Sequence, residues 1–193
     1  MRNIFFIKII EWALRINVAI KLFVYGTGKI LGQQFYRQGS VPELVGSKPL
    51  AETSGYDLAW TFFGYSEGYI WFIGLSQLLG AALLLLPKTK LLGGAILVPI
   101  LLNIIMVDYL FGVAYGALFS ACFYLASILF MFYIYKEEVM SAVKKLWLTS
   151  GALILTKKRH WLWSYGFILV AVVVIFYIEY LGIQLFGYED RHY

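Results

Sequence analysis

The sequence predicts an all-α fold: a polytopic transmembrane bundle with a four-helix core and a fifth transmembrane helix. Three observations predict it. Of 193 residues, 61% are hydrophobic and only 14% charged, where a soluble domain carries about 25% charged residues; mean hydropathy is +0.76. The apolar residues fall into five runs, each long enough to cross a hydrocarbon core of about 30 Å. The basic residues sit in the connections between runs and favour one side of the membrane. The whole chain, 1–193, reads as a single membrane domain.

The first span, residues 9–35, is apolar yet carries Glu11, Arg15, Lys21 and Lys29. A charge near the bilayer centre costs about 2.5–3.5 kcal/mol on insertion scales, so these charges need partners, water or a ligand. At 100° per residue, Glu11, Arg15, Lys29 and Gln33 share one stripe and Lys21 lies off it, which turns the stripe toward the bundle interior. Glu11 and Arg15 are one turn apart and able to pair. Gly28 and Gly32 form a small-xxx-small pair expected to admit a neighbouring helix.

Residues 36–67 form the one long polar connection, holding Pro42, Pro49, Gly39, Gly46 and Gly55. A loop of about 30 residues exceeds the usual connection and is expected to be functional, partly ordered or both. Its second half, with Tyr56, Trp60, Phe62 and Phe63, is expected to lie at the interface or to plug the mouth of the bundle. The second span, 68–86, has Gln77 near its middle. A short turn, 87–90, sends the third span, 91–109, back antiparallel; it carries Asn103 and Asp108, and Pro99 is expected to kink it. A tight connection at Phe111-Gly112 leads to the fourth span, 113–135. Residues 136–160 read as an amphipathic surface segment, with Val139, Met140, Val143, Leu146 and Trp147 at helical spacing, followed by the basic run Lys157-Lys158-Arg159. The fifth span, 161–186, is interrupted only by Glu179.

With the N-terminus inside, the cytoplasmic parts hold Arg2, Lys8, Lys88, Lys90, Lys136, Lys144, Lys145 and the 157–159 run, while the other side holds only Arg37, Lys48 and Arg191. This asymmetry places the N-terminus in the cytoplasm, the C-terminus outside and the 36–67 loop outside. The expected location is a bacterial inner membrane, with the lipid bilayer as first partner. The net charge of +5 is distributed as topology signals rather than as a nucleic-acid groove.

Polar residues then meet in the outer half. Lys29 and Gln33 share their depth with Glu67, Asn103, Asp108 and Glu179, and Gln77 sits nearer the middle. In a pocket built from them, Lys29 donates a hydrogen bond, Asp108 or Glu179 is its counter-ion, and Asn103 and Gln77 orient the ligand; Arg15 completes the polar stripe, and Trp60 belongs to the aromatic stretch that closes it. A structural ion-pair network would show the same balance of charges. Catalytic templates fail. Gly26-Thr27-Gly28-Lys29 lacks the remaining P-loop positions, as Phe23 and Ile30 show, and no Ser/His/Asp set exists. Cys122 is a lone thiol, and His160 and His192 have no neighbour at metal-ligand spacing. The predicted site is therefore a ligand site, with no catalytic or metal-binding residue assigned.

Several local patterns resemble the DoxX-like family of integral membrane proteins: Leu14-Arg15 with Gly28-Lys29-Ile30, Phe62-Phe63-Gly64-Tyr65-Ser66, Phe72-Ile73-Gly74, Gln77-Leu78-Leu79-Gly80, Thr89-Lys90-Leu91-Leu92-Gly93, and Asn103-Ile104. The resemblance covers residues 9–135, with Arg15 and Lys29 at the matching charged positions. It implies a compact four-helix membrane bundle and an association with membrane redox complexes, one relative being the small subunit of a thiosulfate:quinone oxidoreductase. The amphipathic segment and the fifth span depart from that pattern. The expectation is a membrane protein that binds a small lipophilic or anionic molecule, with a quinone as candidate cofactor, and serves a redox system through a membrane or periplasmic partner protein. The alternatives are a non-catalytic subunit or scaffold of a larger complex and a small transporter; no inverted repeat or broken-helix pair favours the last.

Overall fold

The structure, a computed structural model, describes residues 2–151 together with 170, 173–175, 177 and 181. Glu179, the 157–159 basic run and most of the predicted fifth span lie outside the described residues. Every described element is helical: α1 (Arg2–Ile30), α2 (Glu43–Gly46), a 3-10 turn (Leu50–Glu52), α3 (Gly55–Gly64), α4 (Glu67–Leu85), α5 (Lys90–Leu110), α6 (Tyr115–Ile134) and α7 (Lys136–Gly151). Three of them, α4, α5 and α6, are long and apolar enough to cross a membrane, and they match the predicted second to fourth spans to within two residues. These three mark the chain as an integral membrane protein. The chain divides into two compact units, 1–139 and 140–193.

Within the first unit α1 packs on α4, α4 on α5, α5 on α6, and α6 returns to α1, closing a ring of four antiparallel helices. Sequence explains the ring. On α1 the residues Glu11, Arg15, Val18, Ala19, Leu22, Gly26 and Lys29 are all buried, at the i, i+4, i+7, i+8 spacing of one helical face. Lys21, which falls off that stripe, is exposed. The charged residues of the opening helix thus separate by angle, as their spacing requires.

α1 ends earlier than residue 35. Gly32 has φ +78°, a left-handed conformation that glycine adopts without a Cβ penalty and that stops the helix. Gly32 is therefore a terminator and not half of a packing pair with Gly28. Close approach of α1 and α4 is made instead by Gly26 and Gly74. A Cβ at Gly74 would stand 2.7 Å from the Ile30 side chain, and one at Gly26 would stand 3.0 Å from Leu78. On the other seam a Cβ at Gly93 would collide with the Leu84 backbone, so α5 lies against α4 near their shared turn. α5 runs unbroken through Pro99 from Lys90 to Leu110.

The end of the ring at the α4–α5 turn is solid. Val18, Ala19, Leu22, Ala81, Leu84, Leu97, Leu101, Tyr124, Ile128 and Met131 form one buried cluster there and through the middle of the bundle. The opposite end carries the long connection. α3 is an ordered helix within it, capped by Ser54, whose Oγ accepts from the Asp57 N–H at 3.1 Å. The Tyr36 hydroxyl donates to Asp57 Oδ1 at 3.1 Å, and the Tyr36 N–H donates to the Trp60 carbonyl at 3.2 Å. A Cβ on Gly64 would collide with the Tyr36 backbone. The loop is folded down onto its own start, which sets α3 over the mouth of the ring.

Candidate ligand-binding cavity

At the end covered by α3 the ring is hollow. A cavity of about 610 Å³ is bounded by all four long helices and by α3, within the range of small-molecule sites. Its walls are mainly apolar and aromatic. Leu22 and Tyr25 come from α1, Phe72 and Ile73 from α4, Ile100 and Ile104 from α5, and Ala121 and Tyr124 from α6. Its roof is aromatic. Trp60 and Phe63 of α3 meet Phe35, with ring centroids 5.7 and 5.4 Å apart, and Tyr56 stacks on Trp60 at 4.1 Å. Trp60 is buried. The aromatic half of the connection therefore plugs the mouth, held by ring packing worth about 0.5–1.5 kcal/mol per pair beyond area burial.

Five predicted residues line this space together: Lys29, Trp60, Gln77, Asn103 and Asp108. Lys29 is buried, only 7% exposed. Its ammonium lies 5.9 Å from the Phe35 ring centroid. Among the described residues no hydrogen bond or ion pair reaches it. The carboxylate whose charge acts on it is Asp108, buried on α5 in the same cavity; the two do not close a direct ion pair. Gln77, 1% exposed, donates from Nε2 to the Leu22 carbonyl at 3.3 Å. That bond orients its amide and leaves the oxygen as an acceptor. A buried cation, a facing carboxylate and two amides inside apolar walls can hold a small head group carrying hydrogen-bond acceptors.

The remaining predicted residues are placed elsewhere. Arg15 does not reach the cavity. It lies in the solid half with its Nε 3.1 Å from Glu11 Oε1, its Nη1 donating to the Leu84 carbonyl at 3.3 Å and its guanidinium 4.0 Å over Trp12. Its Nε–H is not aimed at Glu11, so the pair is held by charge rather than by a well-aligned hydrogen bond, and neither Glu11 oxygen has a hydrogen-bond partner among the described residues. Gln33 is exposed beyond the end of α1, where the helical stripe no longer applies. Its neighbour Gln34 lines the cavity instead. Glu67 is 68% exposed and pairs with Arg37 at 3.1 Å. Glu179 lies outside the described residues. The sequence reading missed Tyr25, Ser120 and Tyr124, polar-tipped residues of α1 and α6 that line the cavity, Tyr25 at its outer edge and 42% exposed. Their tips are hidden in sequence because tyrosine and serine read as ordinary components of apolar helices. Among the described residues no group of His, Cys, Asp and Glu could hold a metal.

No family model matches the chain, and no solved structure matches it. An uncharacterised protein of Bacillus subtilis (strain 168), YwoB, is 42% identical over 107 residues, which make up 55% of this chain and 65% of that protein. The chain therefore spans somewhat less than two thirds of the relative it matches.

Proposed function

We propose that the chain is a DoxX-like protein of a bacterial inner membrane that binds a small lipophilic molecule with a polar or anionic head group, of which a quinone is the leading candidate, and that it serves a membrane redox system. The observation that carries this reading is Lys29: a buried cation with no hydrogen bond or ion pair among the described residues, facing a mainly apolar cavity in which Gln77, Asn103 and Asp108 supply polar groups. An isolated buried charge is costly, and intramembrane charges mark functional sites by default. A ligand acceptor offsets that cost where packing does not. The basic connections support a cytoplasmic N-terminus and an outward-facing cavity mouth, with α1 crossing the membrane as well as the three apolar helices. Cys122 is exposed and alone, so electron transfer would run through the bound quinone or a partner protein.

The test is extraction. Protein purified in mild detergent is stripped of bound lipid, and the extract of the wild type is compared with that of Lys29→Ala. Co-purified quinone that falls roughly tenfold in the variant supports the reading, a charged hydrogen bond being worth about 1.5–3 kcal/mol. Equal or absent quinone in both defeats it.

A second reading is a non-catalytic subunit or scaffold. It is favoured by α7, where Met140, Val143 and Trp147 are more than half exposed at helical spacing. A stoichiometric partner retained under mild detergent would support it, and a strictly lone protein would not.

A further inference from the structure

Two of the four seams in the ring are pinned along the hollow half, and one is closed at that end by its loop. Gly26 and Gly74 clamp α1 to α4. Tyr25 of α1 interacts with Tyr124 of α6. α5 and α6 are joined there by the turn at Gly112, whose φ is +69°. The α4–α5 seam differs. Its glycines, Gly80 and Gly93, hold the helices together near the 87–89 turn, at the solid end. Toward the hollow end no small residue pins them. Phe72 and Ser76 on α4, and Pro99 and Asn103 on α5, stand there. All four line the cavity, yet Phe72 is 66% exposed and Pro99 and Asn103 are exposed as well. Three residues on one seam that are both cavity wall and outer surface, with no small residue pinning them, mark an opening. Asn103 is also a polar side chain on a flank of an apolar helix, a position that costs free energy unless a partner passes it.

A second depression continues from this opening. It is a groove of about 550 Å³ on the outer face of α4, walled by Leu75, Leu79, Ala82 and Phe23, and it shares Phe72 and Ser76 with the cavity. Its lining is apolar except for Ser76, whose hydroxyl is already spent on the Phe72 carbonyl at 2.7 Å. Polar groups therefore cluster at the inner end of the path and apolar ones at the outer end.

We propose that the cavity is entered sideways from the bilayer through the α4–α5 seam by a single-chain amphiphile, whose head passes Asn103 to reach Lys29 while its hydrocarbon chain remains in the groove on α4. This rests on the ligand-binding reading above and adds the route and the shape of the ligand. A head group without a chain lacks the groove contact. A two-chain lipid has more hydrocarbon than one groove accepts. The aromatic roof then needs no opening motion for loading, in keeping with its stacked rings and its backbone bond to Tyr36.

The probe is a benzoquinone bearing a decyl chain with a diazirine at the chain end, added to the full-length protein in lipid nanodiscs. After illumination, labelled peptides are mapped by mass spectrometry, with and without excess unlabelled decylubiquinone. The expected result is competed labelling within residues 72–82, falling roughly tenfold in Lys29→Ala and in the seam-blocking variant Ser76→Trp, but not in Leu129→Trp, which places the same bulk on an exposed face of α6. Competed labelling near Trp60 that persists in Ser76→Trp overturns the lateral route and leaves ligand binding standing. Labelling that excess decylubiquinone does not compete, or that is equal in Lys29→Ala, is adventitious and overturns the route. No competed labelling anywhere, in protein that retains its wild-type melting temperature, overturns both readings.

Discussion

One helix carries two buried cations, and the bundle treats them differently. Arg15, 3% exposed, has a carboxylate one turn away, a backbone carbonyl from α4 and an indole ring. Lys29, 7% exposed and four turns further on, has a cavity before it, the Phe35 ring 5.9 Å away and Asp108 as the facing charge, with no direct ion pair. The guanidinium is planar, weakly hydrated and rich in donors, so it can be satisfied inside packed protein; the ammonium is a compact point charge that stays costly without an acceptor. The contrast teaches that burial of a charge in a membrane helix does not by itself define a site. What distinguishes the two ends is whether the partners are already present in the fold.

The largest effect should come from unbalancing the satisfied end. Glu11→Ala leaves Arg15 buried without its carboxylate and should cost about 3–5 kcal/mol, read as a loss of thermal stability in detergent. Lys29→Met should cost much less in the same assay, because no direct ion pair or hydrogen bond is lost and only the facing charge of Asp108 goes uncompensated. Equal destabilisation by both variants would break the comparison. The double variant Glu11→Leu with Arg15→Met should recover most of the loss, since well-packed apolar replacement of a buried pair is often neutral.

A smaller effect tests why one half is solid. Gly93→Val drives a side chain into the α4 backbone at Leu84 and should cost about 1–3 kcal/mol. The added bulk at Gly116, where a Cβ meets nothing within 4 Å, should cost far less. Comparable melting temperatures for the two would show that the glycine contact does not hold the seam.

The roof offers a third, finer test. Tyr36→Phe removes the hydroxyl bond to Asp57 and should loosen α3 by about 0.5–1.5 kcal/mol, seen as faster hydrogen exchange across residues 55–64. The Tyr36 phenol is pushed above its ordinary value, first by desolvation and then by its bond to Asp57. A raised value means the neutral form is preferred in the folded roof. Its contribution is complete below the unfolded tyrosine value of about 10 and is lost as pH rises through the raised one. Alkaline loosening of the roof should therefore shrink in Tyr36→Phe.

The smallest effect should be that of Glu67→Gln. Its ion pair with Arg37 is largely exposed, so stability should change by only about 0–1 kcal/mol, and quinone retention should not change. A retention loss matching that of Lys29→Ala would bring Glu67 back into the site.

Much of this was legible in the residues. Apolar runs and turn chemistry located α4, α5 and α6, because hydropathy and helix breakers act locally. The 100° geometry of α1 correctly turned Glu11, Arg15 and Lys29 inward and Lys21 outward, because a helix fixes angles over its whole length. The same argument failed at Gln33, since a single positive-φ glycine ended the helix and angular bookkeeping with it. It also put Arg15 in one site with Lys29, although the two share an angle and lie four turns apart along the axis.

By itself, then, the amino-acid order determined a membrane-embedded helical protein with a charged inner face on its first helix. Only tertiary packing decided which of those charges meets a partner and which meets a cavity. Glycine contacts drew the helices together at one end and the tucked loop roofed the space at the other. Distances between helices depend on which surfaces touch, and no periodicity along one chain segment records that.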